Sequence, residues 1–304
     1  MDLDHYGLTE MPFRLTPDDR FFFASQEHSR ALSHLLFGLA QGEGFIVVTG
    51  EVGAGKTTLV ERLSVRLGTD AYWLATIMVP HSRAEDIVKL VAAGFGMPTE
   101  GDVATVTSQL TRRLRAERAR GRRALLIVDE AQSVLMPALE ELRMLSNLAE
   151  NGRALLQIVL LGQPQFRATM SSPELDQLSQ RVLASYHIGA LSRDEVRTYV
   201  EHRMRMAGWQ DLPRFEEAAF ITIYDYTDGI PRRINRLCGR VLLHGTLEQA
   251  DVITAALVES VARELDTDLT RGAAPPSRAI SDIEPDGGNL DRLVPLMKPK
   301  GVGR

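Results

Sequence analysis

The sequence predicts an α/β fold: a parallel sheet with helices on both faces, followed by a small all-α lid domain. Three observations predict it. Apolar, β-branched runs recur at 45–49, 71–79, 124–130, 154–162 and 185–191, with helical patterns between them. Such alternation belongs to βαβ units, whose strands are covered on both faces and so read as nearly continuous apolar runs. A glycine-rich turn follows the first run directly, and from about Ser192 the strand-like runs give way to helical segments separated by Gly, Pro and Asp.

In chain order, residues 1–44 carry "PFRLTPDDRFFF" and then a helical stretch, "SQEHSRALSHLLFGLAQG". Residues 45–191 hold the strand–helix alternation, and 192–265 the helical segments. In 266–304, Pro, Gly and charge leave little to bury, so a disordered tail is expected there. No internal repeat is visible.

Bulk properties exclude several classes. At 304 residues, 44% hydrophobic and 25% charged, the composition is that of an ordinary globular chain. Cys238 is the single cysteine, so no internal disulfide can form and a reducing compartment is expected. No apolar run approaches the roughly 20 residues that span a bilayer. The start, "MDLDHYGLTEMPF", lacks the basic-then-apolar plan of a signal peptide, and a cytoplasmic location is expected. A net charge of -5 gives no global attraction to nucleic acid. The seven histidines show no H-E-x-x-H spacing, so no metal chemistry beyond Mg²⁺ is expected.

The turn after the first strand, "GEVGAGKTTL", fits G-x-x-x-x-G-K-[ST] from Gly50 to Thr57 without a mismatch. Strand, glycine turn and helix start together aim backbone N–H groups and the positive helix end at one small volume. Gly50, Glu51, Val52, Gly53, Ala54, Gly55, Lys56, Thr57 and Thr58 are the candidate phosphate cradle for ATP. Lys56 would reach the β- and γ-phosphates, and Thr57 would ligate Mg²⁺.

"ALLIVDEAQ" ends an apolar strand in Asp129 and Glu130, at the edge where open α/β sheets bind ligands. Asp129 is the second candidate for the Mg²⁺ shell. Glu130 is the candidate base that orients and deprotonates a water, which makes the expected protein a hydrolase and not only a nucleotide binder. Gln163 ends the next run: it either contacts the γ-phosphate or the attacking water, or only caps the strand. Arg181 precedes the last strand, where it could face a neighbouring subunit or simply solvent. Arg232 follows Pro231 at the start of a lid helix, from which a guanidinium could reach the γ-phosphate.

In this order the elements resemble the AAA+ ATPases, specifically the general secretion pathway protein A (ExeA-like) family. The likeness is greatest to the ATPase of exosortase and exopolysaccharide loci. It is carried by "YGLTEMPFRLTPDDRFFF", "GFIVVTGEVGAGKTTL", "ALLIVDEAQ", "LEELRMLSN", "LLGQPQF", "QRVLASYHIGALS" and "GIPRRINRLC", over roughly residues 5–265. The resemblance implies Walker A at Lys56 and Thr57, Walker B at Asp129 and Glu130, and sensor 1 at Gln163. It also implies an arginine finger at Arg181 and sensor 2 at Arg232. The segment holding Pro12–Phe13 and Phe21–Phe23 is similar to the family's adenine-side motif, although aromatics of this kind also serve as core packing. Further implications are a nucleotide-dependent homo-oligomer, protein partners in an envelope export system, and association with the membrane only through a partner. Secretion-type members continue into a membrane span and a cell-wall-binding region, whereas 266–304 is polar here. The expected role is therefore a soluble motor or switch linked to polysaccharide export.

The rival reading is a DNA-linked AAA+ regulator of the transposition-helper kind. It rests on "TRRLRAERARGRR", with Arg112, Arg113, Arg115, Arg118, Arg120, Arg122 and Arg123. Leu110 and Leu114 instead suggest an amphipathic helix with a solvated basic face, and no aromatics interleave, so nucleic-acid binding is not expected.

Overall fold

The computed structural model describes residues 4–16, 18–79 and 84–272. The chain divides into two units, Met1–Leu265 and Asp266–Arg304. In the first, helix α1 (Gln26–Gln41) leads into β1 (Phe45–Gly50), α2 (Lys56–Leu67), β2 (Tyr72–Met78), α3 (Ala84–Gly94), α4 (Val103–Ala119) and β3 (Arg123–Asp129). There follow α5 (Met136–Ser146), a hairpin of β4 (Ala149–Glu150) and β5 (Arg153–Ala154), β6 (Leu156–Gly162), α6 (Gln165–Met170), α7 (Asp176–Ser179) and β7 (Val182–Ile188). The lid comprises α8 (Arg193–Met206), β8 (Arg214–Phe215), α9 (Glu217–Thr227), α10 (Pro231–Leu247), β9 (Val252–Ile253) and α11 (Ala255–Gly272).

The five long strands are all parallel, in the order β2-β3-β6-β1-β7. Alternate residues feed two separate cores. Val47, Leu126, Val128, Ile158 and Leu160 pack among the helices of one face. Ile46, Val48, Leu125, Ile127 and Leu161 pack with Leu35 and Leu39 of α1 and Leu59 and Leu63 of α2 on the other. Both faces are covered, which is why the inner strands show no polar alternation.

Two strand boundaries differ from expectation. The run at 154–162 is broken at Leu155: Ala154 belongs to a hairpin turning at Asn151 and Gly152, both with positive φ. Two such residues in succession make the hairpin-favouring primed turn, so "NG" was a readable signal. The last strand begins at Val182 and ends at Ile188, earlier than the expected 185–191. Among the described residues it is an edge strand with a partner on one side, and its first residues alternate in exposure. Leu191, counted as strand from its apolarity, is buried in the lid core, where its N–H donates to Gly229 O at 3.0 Å.

The lid departs from all-helical by the parallel pair β8–β9. At two residues each, these strands are too short to print a period of two in the sequence. A capping box between Ser192 and Glu195 starts α8, and Pro231 starts α10 at a first-turn position where no N–H is missed. The lid's core also takes in the N-terminal segment: Tyr6, Leu8, Phe13 and Phe21 pack with Val196, Tyr199 and Leu237. Buried Arg203 fixes that segment by donating from Nε to Pro12 O at 2.7 Å, and Tyr6 Oη donates to Ala250 O at 3.0 Å. The segment before α1 and α1 itself thus serve different cores. Of the expected tail, α11 extends as far as Gly272, and 273–304 lies outside the described residues.

Candidate nucleotide-binding site

Strand order builds the site. Because β6 lies between β1 and β3, its C-terminal end sits between the glycine turn and the Asp129–Glu130 end of β3. Neighbouring strands are about 4.8 Å apart, so three chain-distant polar segments converge within a span of roughly 10 Å. The cleft above them, about 370 Å³, is lined by Lys56, Thr57, Asp129, Glu130 and Arg232 among others.

The glycine turn is squeezed from two sides. Gly53 has φ +85, and a Cβ on it would lie 2.2 Å from Arg232 Cβ. The Arg232 N–H donates to Gly53 O at 3.3 Å, so the first turn of lid helix α10 rests on the loop. Gly55 has φ +93, and its Cβ would lie 2.4 Å from His28 Nε2. His28 is buried; its Nδ1 is 2.7 Å from Ser25 Oγ, and the Phe22 ring meets it edge-on. Burial pushes the imidazole below its ordinary pKa, against a hydrogen bond with the Gly55 backbone and the negative charges of Glu195 and Glu27.

Gly55 gives α2 no side-chain cap, which leaves the first-turn N–H groups of a twelve-residue helix for another acceptor. Lys56, 7% exposed, donates from Nζ to Gly50 O at 2.7 Å and Glu51 O at 3.1 Å. Burial lowers its pKa, and the charges of Glu130, Asp129 and Glu51 oppose that fall. Uncapped amides beside a buried cation fit the phosphates of a nucleotide. Thr57 Oγ1 donates to Asp129 Oδ2 at 3.2 Å. A hydroxyl and one carboxylate this close fit Mg²⁺, which keeps several waters and takes few protein ligands.

Asp129 Oδ1 accepts from the Glu130 N–H at 2.8 Å. Glu130 itself has φ 52, in the left-handed region. Its Oε2 accepts from Gln163 Nε2 at 3.2 Å and from Gln132 Nε2. The amide of Gln163 thus touches the candidate base, which a mere strand cap would not require. Arg232 is exposed at the cleft and makes no ion pair among the described residues. Arg181 is not in the cleft. It precedes Val182, which pairs with Phe45 at the start of β1, whereas Gly50 at its end pairs with Ile188. At about 3.3 Å per residue, the length of β7 separates Arg181 from its own chain's phosphate turn by roughly 20 Å. His28 and Gln132 were not singled out in the sequence. "SQEH" carries only a helix-cap signal, and nothing local marks Gln132 as reaching back to Glu130.

Residues 39–170 match the AAA domain family. General secretion pathway protein A of Aeromonas hydrophila is 38% identical over 240 residues, covering 78% of this chain and 44% of that protein. The chain therefore spans less than half the length of this relative. The RuvB subunit of the Holliday junction branch migration complex of Oleidesulfovibrio alaskensis is 25% identical over 266 residues, covering 81% of this chain and 71% of that one. Among solved structures, the Aeropyrum pernix ORC2 protein superposes with TM-score 0.63 at 19% identity, covering 85% of this chain and 73% of that chain. The Thermotoga maritima RuvB motor gives 0.55 at 18% identity, covering 81% and 74%. Residues 39–170 thus match an AAA domain and lie within a parallel-sheet fold of the P-loop, AAA+ type.

Proposed function

We propose that this chain hydrolyses ATP to ADP and phosphate in an Mg²⁺-dependent reaction and works as a motor or switch. The observation that carries the reading is the junction of three strand ends, where Thr57 meets Asp129 and Gln163 meets Glu130. In this reading the uncapped amides of α2 and Lys56 bind the phosphates, and Lys56 exchanges its loop carbonyls for phosphate oxygens. Bound Mg²⁺, held by Thr57 and Asp129, supplies charge neutralisation at those oxygens. Glu130 accepts a proton from the attacking water, Gln163 fixes that carboxylate, and Arg232 brings positive charge from the lid. Arg181 is too far from its own cleft, so its role as a finger requires a second copy of the chain, in an assembly that forms with nucleotide.

For the pathway we favour envelope export or secretion of the kind associated with exopolysaccharide and exosortase loci, with protein partners at the membrane. The 38% identity to a secretion-pathway protein supports it. No helix among the described residues is long and apolar enough to cross a membrane, so contact with the envelope would run through a partner. The DNA-linked alternative has in its favour the 25% identity to a RuvB subunit and the fold shared with ORC and RuvB structures, one of them solved as ORC1 in complex with DNA. At 17–18% identity that likeness carries the fold and not the ligand. Phosphate release should be measured for the wild type and Lys56→Ala, beside nucleotide affinity. Mg²⁺-dependent turnover that Lys56→Ala abolishes together with binding supports the reading, and a wild type without turnover at any protein concentration refutes it. A salt-dependent shift of duplex DNA at physiological ionic strength would favour the alternative.

A further inference from the structure

We infer that Gln132 is a positioning residue for ATP hydrolysis, an inference that rests on the ATPase reading above. Its side chain closes a ring of three: Nε2 donates to Glu130 Oε2, while Oε1 accepts from the Gln163 N–H at 2.9 Å. The third side is the 3.2 Å bond from Gln163 Nε2 to the same Glu130 oxygen, and Gln165 Nε2 holds Gln163 Oε1 at 3.1 Å. Two donors converge on one carboxylate oxygen. Glu130 Oε1 accepts no hydrogen bond among the described residues, so it is the oxygen left to take the water's proton.

The backbone at Glu130 is constrained as well. Glu130 is in the left-handed region, φ 52 and ψ 42, which an L-residue other than glycine holds only where its surroundings over-determine it. The Ser133 N–H donates to Glu130 O at 2.8 Å, and the short turn Ala131–Ser133 brings Gln132 back over the residue two before it. Fully buried Ala131 anchors that turn in the core of the sheet. Gln132 therefore joins two strand ends: it orients the carboxylate at the end of β3 and ties it to the backbone at the end of β6. A carboxylate aimed by two amides needs no reorientation when the water arrives, and loss of one amide frees it to rotate away.

The test compares Gln132→Ala and Gln132→Glu with the wild type. Gln132→Glu keeps an acceptor for the Gln163 N–H but replaces the donor to Glu130 with a second negative charge beside it, whereas Gln132→Ala removes both hydrogen bonds without adding charge. For both variants kcat should fall about 10–100-fold, the scale of a misplaced catalytic group, with KM for ATP unchanged. In a Glu130→Gln background, Gln132→Ala should change kcat by no more than about twofold, because the residue acts through Glu130. A readout independent of turnover is the binding of ADP with aluminium fluoride, which mimics the phosphoryl group under attack. It should weaken in Gln132→Ala while the affinity for ADP alone stays as it was. Wild-type kcat in both variants, or an equal loss with and without Glu130, overturns the inference. So does a parallel loss of ADP affinity, which would mark Gln132 as structural. If the wild type itself does not hydrolyse ATP, the reading beneath falls and this inference with it. An active wild type beside unaffected variants sinks the inference alone.

Discussion

The two ends of the central sheet treat charge in opposite ways. At the C-terminal ends of β1, β3 and β6, a few polar groups face an open cleft: Lys56, Thr57, Asp129 and Glu130. At the N-terminal ends of β3 and β6, arginines crowd together, and most are already engaged. Glu117 on α4 is fully buried, and Arg113 (2.7 Å), Arg120 (3.0 Å) and Arg122 all pair with it. Arg115 reaches Glu150 at 3.5 Å, and Arg118 Nη1 donates to Ala154 O at 2.6 Å. The arginine-dense end is thus a bolt that fastens α4 to the β4–β5 hairpin and the start of β3. The other end is the one proposed to take an anion: Gly53 and Gly55 shape its backbone amides, and Lys56 and Arg232 line its cleft. Counting guanidinium groups in a sequence does not find an anion site; what matters is whether their partners are already inside the fold.

The largest effect that would sharpen this contrast comes from a residue at the N-terminal end left outside the bolt. Arg181 is exposed and makes no ion pair among the described residues. If it completes a neighbour's cleft, Arg181→Ala should lower turnover by about 10³ or more, the usual worth of an arginine finger. Mixing it with Lys56→Ala should restore part of the activity neither has alone, since a mixed interface pairs an intact pocket with an intact arginine. Turnover per chain that is flat on dilution, with a mixture that stays inactive, would return Arg181 to the surface.

Next in size, Glu117→Ala should cost about 1.5–3 kcal/mol of stability. Its arginines are half-exposed and regain water, so the loss stays below that of a fully buried pair. Urea unfolding measures it, and nucleotide affinity should not change. An affinity that falls with stability would mean that the two ends are coupled. Smaller still, Arg112→Ala should leave stability within about 0.5 kcal/mol, as for a surface position. An effect near that of Glu117→Ala would show that the bolt extends beyond Glu117, Glu150 and the arginines they hold.

How much of this was legible follows the range of each signal. The strand, glycine turn and helix start of the candidate phosphate cradle were readable because they are adjacent in the chain, from Phe45 to Leu67. The two acids at the end of β3 were readable for the same reason. That Gln163 stands between them and Lys56 was not, because it depends on β6 lying between β1 and β3, and strand order leaves no mark in a single sequence. The basic run was read as the solvated face of a helix through Leu110 and Leu114; those leucines are buried as expected, but the helix ends at Ala119 and five of the run's arginines are engaged by Glu117, Glu150 and Ala154 O. Glu117 lies within the basic run without any local mark, and only the packing shows that it is the centre. Leu191 misled because apolarity tells that a residue is buried and not in which core.

The smallest effect concerns pH. Burial holds the His28 imidazole below its usual pKa near 6.5, and burial shifts His202 the same way. As pH falls through about 6.5 the unfolded chain takes up protons that the folded chain refuses, so stability is kept above that pH and declines below it. His28→Gln should flatten part of that decline between pH 7.5 and 5.5. An identical slope in both proteins would remove His28 from the account.

The claim at the centre is that Glu130 activates water in a cleft that binds ATP without it. Phosphate release by Glu130→Gln, measured beside its affinity for ATP, tests this most directly. The account predicts affinity close to wild type and turnover lower by about 10²–10⁴, the usual contribution of a general base. Turnover at the wild-type level, with ATP bound equally well, would contradict it.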